Sequence, residues 1–408
     1  MAVTSFPKSE IKVLLLEGIH AVAQQAFAEE GFSVELLSGA LSEAELTERL
    51  RDVHVLGLRS KTQVTAKALA DARRLLAIGA FCIGTNQISL RDACQRGVPV
   101  FNAPFSNTRS VAELMIAEII MLSRHLGDRS REVHQGTWRK LASGSHEVRG
   151  RTLGIIGYGH IGSQLGVLAE ALGMRVLFFD IASKLPMGNN RSVARLEELL
   201  AASDFVTLHV PETEQTKNMI GAAELAAMRP GACLLNASRG TVVDLEALAA
   251  ALRSGHLIGA AIDVYPREPE RNGEGFASPL LGIPNVVLTP HIGGSTEEAQ
   301  EAIGHEVSTS LIKFVNSGTT AGAVNFPQIE LPATRGAHRI LNCHRNVPGV
   351  LRDINKIVSD HNANIRAQVL ATDPDIGYLV MDLDEDVSED VRRDMAALST
   401  NIRTRILY

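Results

Sequence analysis

Short apolar runs alternate with helical segments along most of the chain. From residue 151 the runs are TLGIIG (152–157), RVLFFD (175–180), FVTLHV (205–210), ACLLNAS (232–238), IGAAIDV (258–264) and NVVLTP (285–290), each rich in Val, Ile and Leu and followed by a helical or turn segment. Six such strands predict a doubly wound parallel sheet, a Rossmann domain. The first 105 residues repeat the alternation: KVLLLEG, SVELL, VHVLGLRS, LLAIGAFCIG and PVFNAP are separated by helical runs such as AVAQQAFAEEG and SEAELTERL. This predicts a second α/β domain, of flavodoxin-like type. Two long helical stretches, 110–126 and 295–318, would lead out of the first sheet and back into it. The Rossmann domain is therefore expected as an insertion, 106–294, in a discontinuous domain of 1–105 and 295–330. After VNFPQIELPATRG the order becomes strand, helix, strand, strand, helix, strand over 337–408. That is a ferredoxin-like βαββαβ unit. Its first helix gathers Val350, Leu351, Ile354, Ile357 and Val358 on one face, and Gly336 is a candidate hinge before it.

Charge and composition narrow the function. Among 408 residues, 45% are hydrophobic and 21% charged, with a formal net charge of −6, which gives no basic footprint for nucleic acid. The stretch VAELMIAEIIML is broken by Glu113 and Glu118 and is too short to span a bilayer. MAVTSFPKSE has neither the basic region nor the apolar core of a signal peptide, so a cytoplasmic protein is expected, with no membrane partner. Cys82, Cys94, Cys233 and Cys343 are widely spaced beside apolar segments and read as reduced, buried thiols. No metal site is expected.

The run GYGHIG carries Gly157-x-Gly159-x-x-Gly162 between an apolar strand and an apolar helix, and Asp180 lies 18 residues beyond at the end of the next strand. Gly157 permits the tight turn, Gly159 lets the backbone approach a pyrophosphate, and Gly162 lets the helix pack on the strand. Asp180 would accept from ribose hydroxyls and repel a 2′-phosphate, so NAD is expected as cofactor. The first domain offers LLLEGIHAV, with one glycine where the fingerprint needs three, and should hold no dinucleotide.

Three strand ends carry further chemistry: NASRGTVVD with Arg239, DVYPREPE with Glu268 and LTPHIGGS with His291. All follow strands of the nucleotide sheet and can gather at its carboxyl edge. A histidine titrating near neutrality suits removal of a hydroxyl proton during hydride transfer, and a neighbouring carboxylate fixes its tautomer. An arginine can grip a substrate carboxylate with two parallel hydrogen bonds. Each residue alone could equally be a surface ion-pair partner, a loop charge or a helix cap.

In this order, GYGHIG, NASRGTVVD, DVYPREP and LTPHIGG resemble the D-isomer-specific 2-hydroxyacid dehydrogenases. The resemblance implies catalytic roles for Arg239, Glu268 and His291, and a split substrate domain. It also implies an NAD site drawing on Gly157, Tyr158, Gly159, His160, Ile161, Gly162, Asp180, His209, Val210, Pro211, Ala237, Ser238, Asp263, His291 and Gly294. The stretches FCIGTNQ, VFNAPFSNTRSVAE, LGIIGYGHIG and HRNVPGVL are similar to the branch of that family that has a C-terminal ACT domain and oxidises D-3-phosphoglycerate. For such a substrate the resemblance implies Arg59, Ser60 and Lys61 of LRSKT, Ile83 and Gly84 of FCIGTN, Asn107, and Arg239. Arg139 and Lys140 of TWRKLASGS add cations that could act from a neighbouring subunit or simply form a solvated turn. The H-x-N-x-P-G pattern implies an L-serine site at His344 and Asn346 beside the helix start at Pro348 and Gly349, with Asn364 from a facing subunit, in a homotetramer. Another 2-hydroxy acid such as 2-hydroxyglutarate, and an NAD-sensing corepressor-like protein, remain open alternatives.

Overall fold

The computed structural model describes residues 5–269, 273, 275–332, 334, 336–384 and 388–408. The first four residues of MAVTSFPKSE, and Ala333 and Arg335 of the expected linker, lie outside this set. The chain divides into two compact units, Met1–Ser106 with Gln300–Tyr408, and Asn107–Ala299.

The first unit contains two sheets. One has strands β1 (Lys12–Leu15), β2 (Ser33–Leu36), β3 (Val55–Leu58), β4 (Ala77–Ala80) and β5 (Val100–Asn102), all parallel in the order β2-β1-β3-β4-β5. This flavodoxin-type order reverses direction between β1 and β3, the point at which open α/β sheets present a ligand crevice. The helix Glu43–Leu50 starts in a reciprocal capping box between Ser42 and Glu45. The long helix Glu297–Ser317 lays Ile303, Val307, Leu311 and Phe314 into the same buried cluster as Phe81 and Phe101, so the sheet's core is completed by residues some two hundred positions later.

The second sheet of this unit is antiparallel. Along the chain the nucleotide sheet comes first, with β6 (Thr152–Ile156), β7 (Arg175–Phe179), β8 (Arg191–Ser192), β9 (Phe205–Leu208), β10 (Ala232–Asn236), β11 (Leu257–Ile262) and β12 (Val286–Leu288), and the C-terminal sheet follows with β13 (His338–Arg345), β14 (Ile365–Thr372), β15 (Ile376–Leu383) and β16 (Asn401–Leu407). The latter are ordered β14-β15-β13-β16, the ferredoxin-like arrangement. One face packs on the helix Val350–Asp360 through Val350, Ile354 and Val358. Its other face carries Leu341, Cys343, Tyr378 and Val380 into the cluster of the first sheet. The Tyr378 hydroxyl donates to Gly318 O at 2.7 Å. Arg339, buried against Asp382 at 2.7 Å, also donates to the carbonyls of Ser317, Leu331 and Pro332. A buried guanidinium is tolerated because every direction of its fork is met. The segment read as a third domain thus has its own fold yet shares a core with the first.

The second unit is the nucleotide sheet, all parallel and ordered β12-β11-β10-β9-β6-β7-β8. It has seven strands where the apolar pattern gave six, because β8 is two polar residues without a hydrophobic signature. The direction reverses between β6 and β9, which sets the crevice above Gly157 and His209. All four cysteines are reduced, and Cys94, Cys233 and Cys343 are buried. Among the described residues no helix is long and apolar enough to cross a membrane.

Candidate active site and cofactor cradle

The turn after β6 is shaped for a dinucleotide. Gly157 has φ +91°, and a side chain there would run into the carbonyl of His209; only glycine closes the turn against β9. Above Gly159 there is open space, and the helix His160–Ala171 begins immediately after it, so its free N–H groups face that space. Asp180 is pinned by backbone donors, Tyr158 N to Oδ2 at 2.8 Å and Ala182 N to Oδ1 at 2.9 Å, leaving a lone pair on each oxygen for a ribose. These features fit NAD. The Tyr158 ring does not face the turn: it is buried, stacks on Phe178 at 3.7 Å, and its hydroxyl accepts from Asn190. Only its main chain can serve the cofactor. His209 accepts or donates at Thr207 Oγ1, 3.0 Å away, and burial pushes its pKa down to about 3, so it is a neutral ring. Val210 and Pro211 continue from it at the crevice edge, and His160 and Ile161 form the first helical turn.

Arg239, Glu268 and His291 come together at the carboxyl edge of this sheet. Asn236, ending β10, organises the NASRG turn: its carbonyl oxygen accepts from Ser238 N and Oγ, and its amide donates to Arg239 O. Ala237 sits within that turn. Gly240 abuts the backbone of Tyr265 and Pro266, where a Cβ would overlap main-chain atoms; this close approach sets Arg239 beside the loop carrying Glu268. His291 Nδ1 lies 2.8 Å from Glu268 Oε2, while Glu268 Oε1 accepts from Tyr265 N at 3.2 Å. The loop that presents His291 is held by buried Asp263, whose carboxylate accepts from Thr289 Oγ1, Ile292 N and Gly293 N at 2.7–2.8 Å. Those bonds hold His291 at φ +55°, a left-handed backbone that costs a non-glycine residue energy and is kept only when its surroundings insist on it. Gly294 follows, so close to Asn107 that a side chain there would meet the Asn107 amide.

The electrostatics follow from the pair. The hydrogen bond and charge of Glu268 raise the pKa of His291 above its ordinary value, against burial and the Arg239 charge. Burial opposes ionisation of Glu268, but the hydrogen bond and charge of His291, the Tyr265 N–H and Arg239 outweigh it and hold its pKa low. The imidazole therefore donates from Nδ1 to a carboxylate and keeps Nε2 for a proton in transit.

In the first unit, Arg59, Ser60 and Lys61 stand just beyond β3 at the switch point of the five-stranded sheet. Two residues that sequence reading missed build this loop. Glu17, just beyond β1 at φ +62° and 9% exposed, accepts from Lys61 N at 3.0 Å and Thr62 N at 2.8 Å. Buried Gln87 donates to Arg59 O and, at 3.4 Å, to Gly84 O, tying the Arg59 loop to the loop of Ile83 and Gly84. Lys140 and Arg139 are exposed, and Arg139 lies 3.5 Å from Glu132.

In the C-terminal sheet, His344 is 3% exposed, bonded through Nδ1 to Asn342 Oδ1 at 2.8 Å and packed under Gly377; burial lowers its pKa. Asn346 is exposed and donates to Asp373 O at 2.7 Å. Gly349, at φ +92°, precedes the helix, and Asn364 is exposed. The structure thus sets Asn346 and Asn364 at the surface and His344 inside.

Residues 116–293 match the family model "D-isomer specific 2-hydroxyacid dehydrogenase, NAD binding domain", and 340–403 match "AHAS small subunit-like ACT domain". A D-3-phosphoglycerate dehydrogenase of Dictyostelium discoideum is 58% identical over 99% of both chains, and one of Escherichia coli K12 is 54% identical over the full length of both. Among solved structures, a D-lactate dehydrogenase of Aquifex aeolicus complexed with NAD and lactic acid superposes with a TM-score of 0.67 at 27% identity, covering 78% of this chain and all of that one.

Proposed function

The chain belongs to the D-isomer-specific 2-hydroxyacid dehydrogenase family, and from that membership we infer its reaction: with NAD it oxidises D-3-phosphoglycerate to 3-phosphohydroxypyruvate, the first step of L-serine biosynthesis. The chemistry is supported by one observation above all, the 2.8 Å contact of His291 with Glu268 in a loop that Arg239 adjoins. The glycine turn at Gly157–Gly162 and Asp180 would hold NAD, which would supply the hydride acceptor for C2 of the substrate. His291 Nε2 removes the C2 hydroxyl proton, and Glu268 stabilises the imidazolium that results. Arg239 holds the substrate carboxylate through its fork. Turnover is tested by NADH formation from D-3-phosphoglycerate and NAD, with 2-hydroxyglutarate as the competing substrate; a preference for 2-hydroxyglutarate would overturn the substrate assignment.

Asp180 governs the choice of cofactor in this reading. Asp180→Gly should weaken NAD binding and narrow the preference over NADP, because the carboxylate that accepts from the ribose and repels a 2′-phosphate is gone. Steady-state kinetics with both cofactors check this, and an unchanged NAD preference would refute it.

Arg59 and Lys61 recognise the distal phosphate. Neutralising Arg59 should raise KM for D-3-phosphoglycerate by roughly tenfold or more, the worth of one charge-assisted hydrogen bond, and affect an unphosphorylated 2-hydroxy acid far less. Equal effects on both would argue against phosphate recognition.

The ACT domain fits feedback control, with L-serine as inhibitor. Asn346 and the helix start at Gly349 supply a polar edge for its carboxylate, with Asn364 from a second copy. Asn346→Ala should abolish inhibition by serine and leave uninhibited turnover near its original rate; inhibition at the same serine concentration would remove Asn346 from the site. A homotetramer, joined through nucleotide units and through ACT domains, accords with this arrangement, and sedimentation tests it.

A further inference from the structure

Between the C-terminal sheet and the first sheet, within the first unit, lies a cleft of about 900 Å³ lined by the ends of β16 and the segment before β4. Its walls are strongly cationic. Several of the cations are already neutralised by carboxylates: Lys8 by Glu30, Arg74 by Asp52, Arg339 by Asp382 and Arg392 by Glu389. Three are not. Arg403 and Arg405 alternate on one face of β16, and neither meets a carboxylate among the described residues. Arg403 donates to the backbone carbonyls of Leu75 and Arg73. Arg405 donates from Nη2 to Val315 O at 3.0 Å and rests 5.4 Å over the Phe314 ring, while its Nη1 is buried without a partner. Arg73 adds a third guanidinium from the opposite wall.

Burial lowers the pKa of both strand arginines, that of Arg405 to about 10, and the Arg403 charge adds to the effect on Arg405. Two desolvated guanidiniums repelling each other with no counter-charge are costly. Among the described residues the two meet only carbonyl oxygens and an aromatic ring, and the charge they leave unmatched suits a planar or tetrahedral oxyanion with several charges. We propose that this cleft is a binding site for a small polyvalent oxyanion, held by Arg403, Arg405 and Arg73 across the seam between the C-terminal sheet and the first sheet. The anion supplies the missing counter-charge and thereby strengthens the packing of the two sheets. Phosphorylated and polycarboxylate compounds share the required chemistry.

Calorimetry on the full chain with inorganic pyrophosphate and, separately, citrate, against chloride at matched ionic strength and with NAD saturating, tests the site. Saturable binding of one anion per chain, with a rise in melting temperature, is expected, and the tighter of the two probes identifies the ligand type. Arg73→Ala, at an exposed residue with no ion pair among the described residues, should weaken binding about tenfold, the equivalent of one charge-assisted hydrogen bond, without changing turnover. Arg405→Met should abolish binding and leave the free protein as stable as before or more so. If that variant fails to fold, Arg405→Lys, which keeps the charge but not the fork, should weaken binding of either probe. Heat that disappears at matched ionic strength, or binding unaltered in both the Arg73 and Arg405 variants, would overturn the proposal.

Discussion

Replacing His291 with alanine is expected to lower kcat for D-3-phosphoglycerate oxidation by about 10²- to 10⁴-fold, the usual worth of a positioned general base, with NAD affinity little changed because Gly157 and Asp180, the proposed phosphate and ribose contacts, lie on other loops. The companion variant Glu268→Gln separates base from support. Oxidation needs His291 neutral, so activity is lost as pH falls through its pKa. Glu268 raises that pKa; without the carboxylate the acidic limb of the oxidation profile should move to lower pH, although kcat falls because the imidazolium loses its partner. In the reductive direction, where His291 must start protonated, the loss of activity on the alkaline side should likewise set in at lower pH. Near-normal turnover in His291→Ala, or a pH profile of Glu268→Gln superimposable on that of the unaltered enzyme, would remove the pair from the mechanism.

The second large effect is expected in stability. Glu118 lies on the helix Thr108–Arg124, is 1% exposed, and neither carboxylate oxygen has a hydrogen-bond partner among the described residues. Burial, with the nearby charge of Asp263, pushes its pKa up to about 8. A carboxyl whose pKa is raised on folding holds its proton in the native state over a window where the unfolded chain has already lost it. Its contribution is therefore intact below the unfolded value, near 4.5, and stability drains away as pH rises toward 8. At roughly 1.4 kcal/mol for each pKa unit, the loss at pH 9 reaches about 4 to 5 kcal/mol as a ceiling. Glu118→Gln cannot ionise. It should match the unaltered protein in urea unfolding at pH 5 and exceed it clearly at pH 9; parallel midpoints at both values would show that Glu118 is not the neutral acid described here.

Glu118 also illustrates what the sequence made legible. Together with Glu113 it interrupts an apolar run in the sequence, where both look like solvent-facing charges. Glu113 does face solvent, paired with Arg109, but Glu118 shares the helical face of Val111, Met115 and Leu122 and points inward. The periodicity was there, and the residue type masked it. The strands, the fingerprint and the Arg239, Glu268 and His291 loops were readable because each is written in a few adjacent residues. Glu17 and Gln87 were not, since their hydrogen bonds join positions 44, 45 and 28 residues away, and nothing local marks a glutamate or glutamine as the brace of a distant loop. His344 was assigned from a motif that specifies neighbours but not rotation; its place on β13 turns the ring toward Gly377. The union of the C-terminal sheet with the first core depended on Leu341, Tyr378 and Val380, whose outward face on a lone ferredoxin-like unit could as well have met solvent or a second copy.

The split of the first unit bears on how the protein is made. Asn107–Ala299 is continuous, so every strand of its sheet is present once that stretch has been made, whereas the five-stranded sheet waits for Leu311 and Phe314 to cover Phe81 and Phe101, and for Asn325 to cap Val100 N across 225 positions. During synthesis the strands β1–β5 emerge before Asn107–Ala299 yet are finished after it, and their apolar faces remain open to chaperones, proteases and other nascent chains until the helix Glu297–Ser317 and Asn325 arrive.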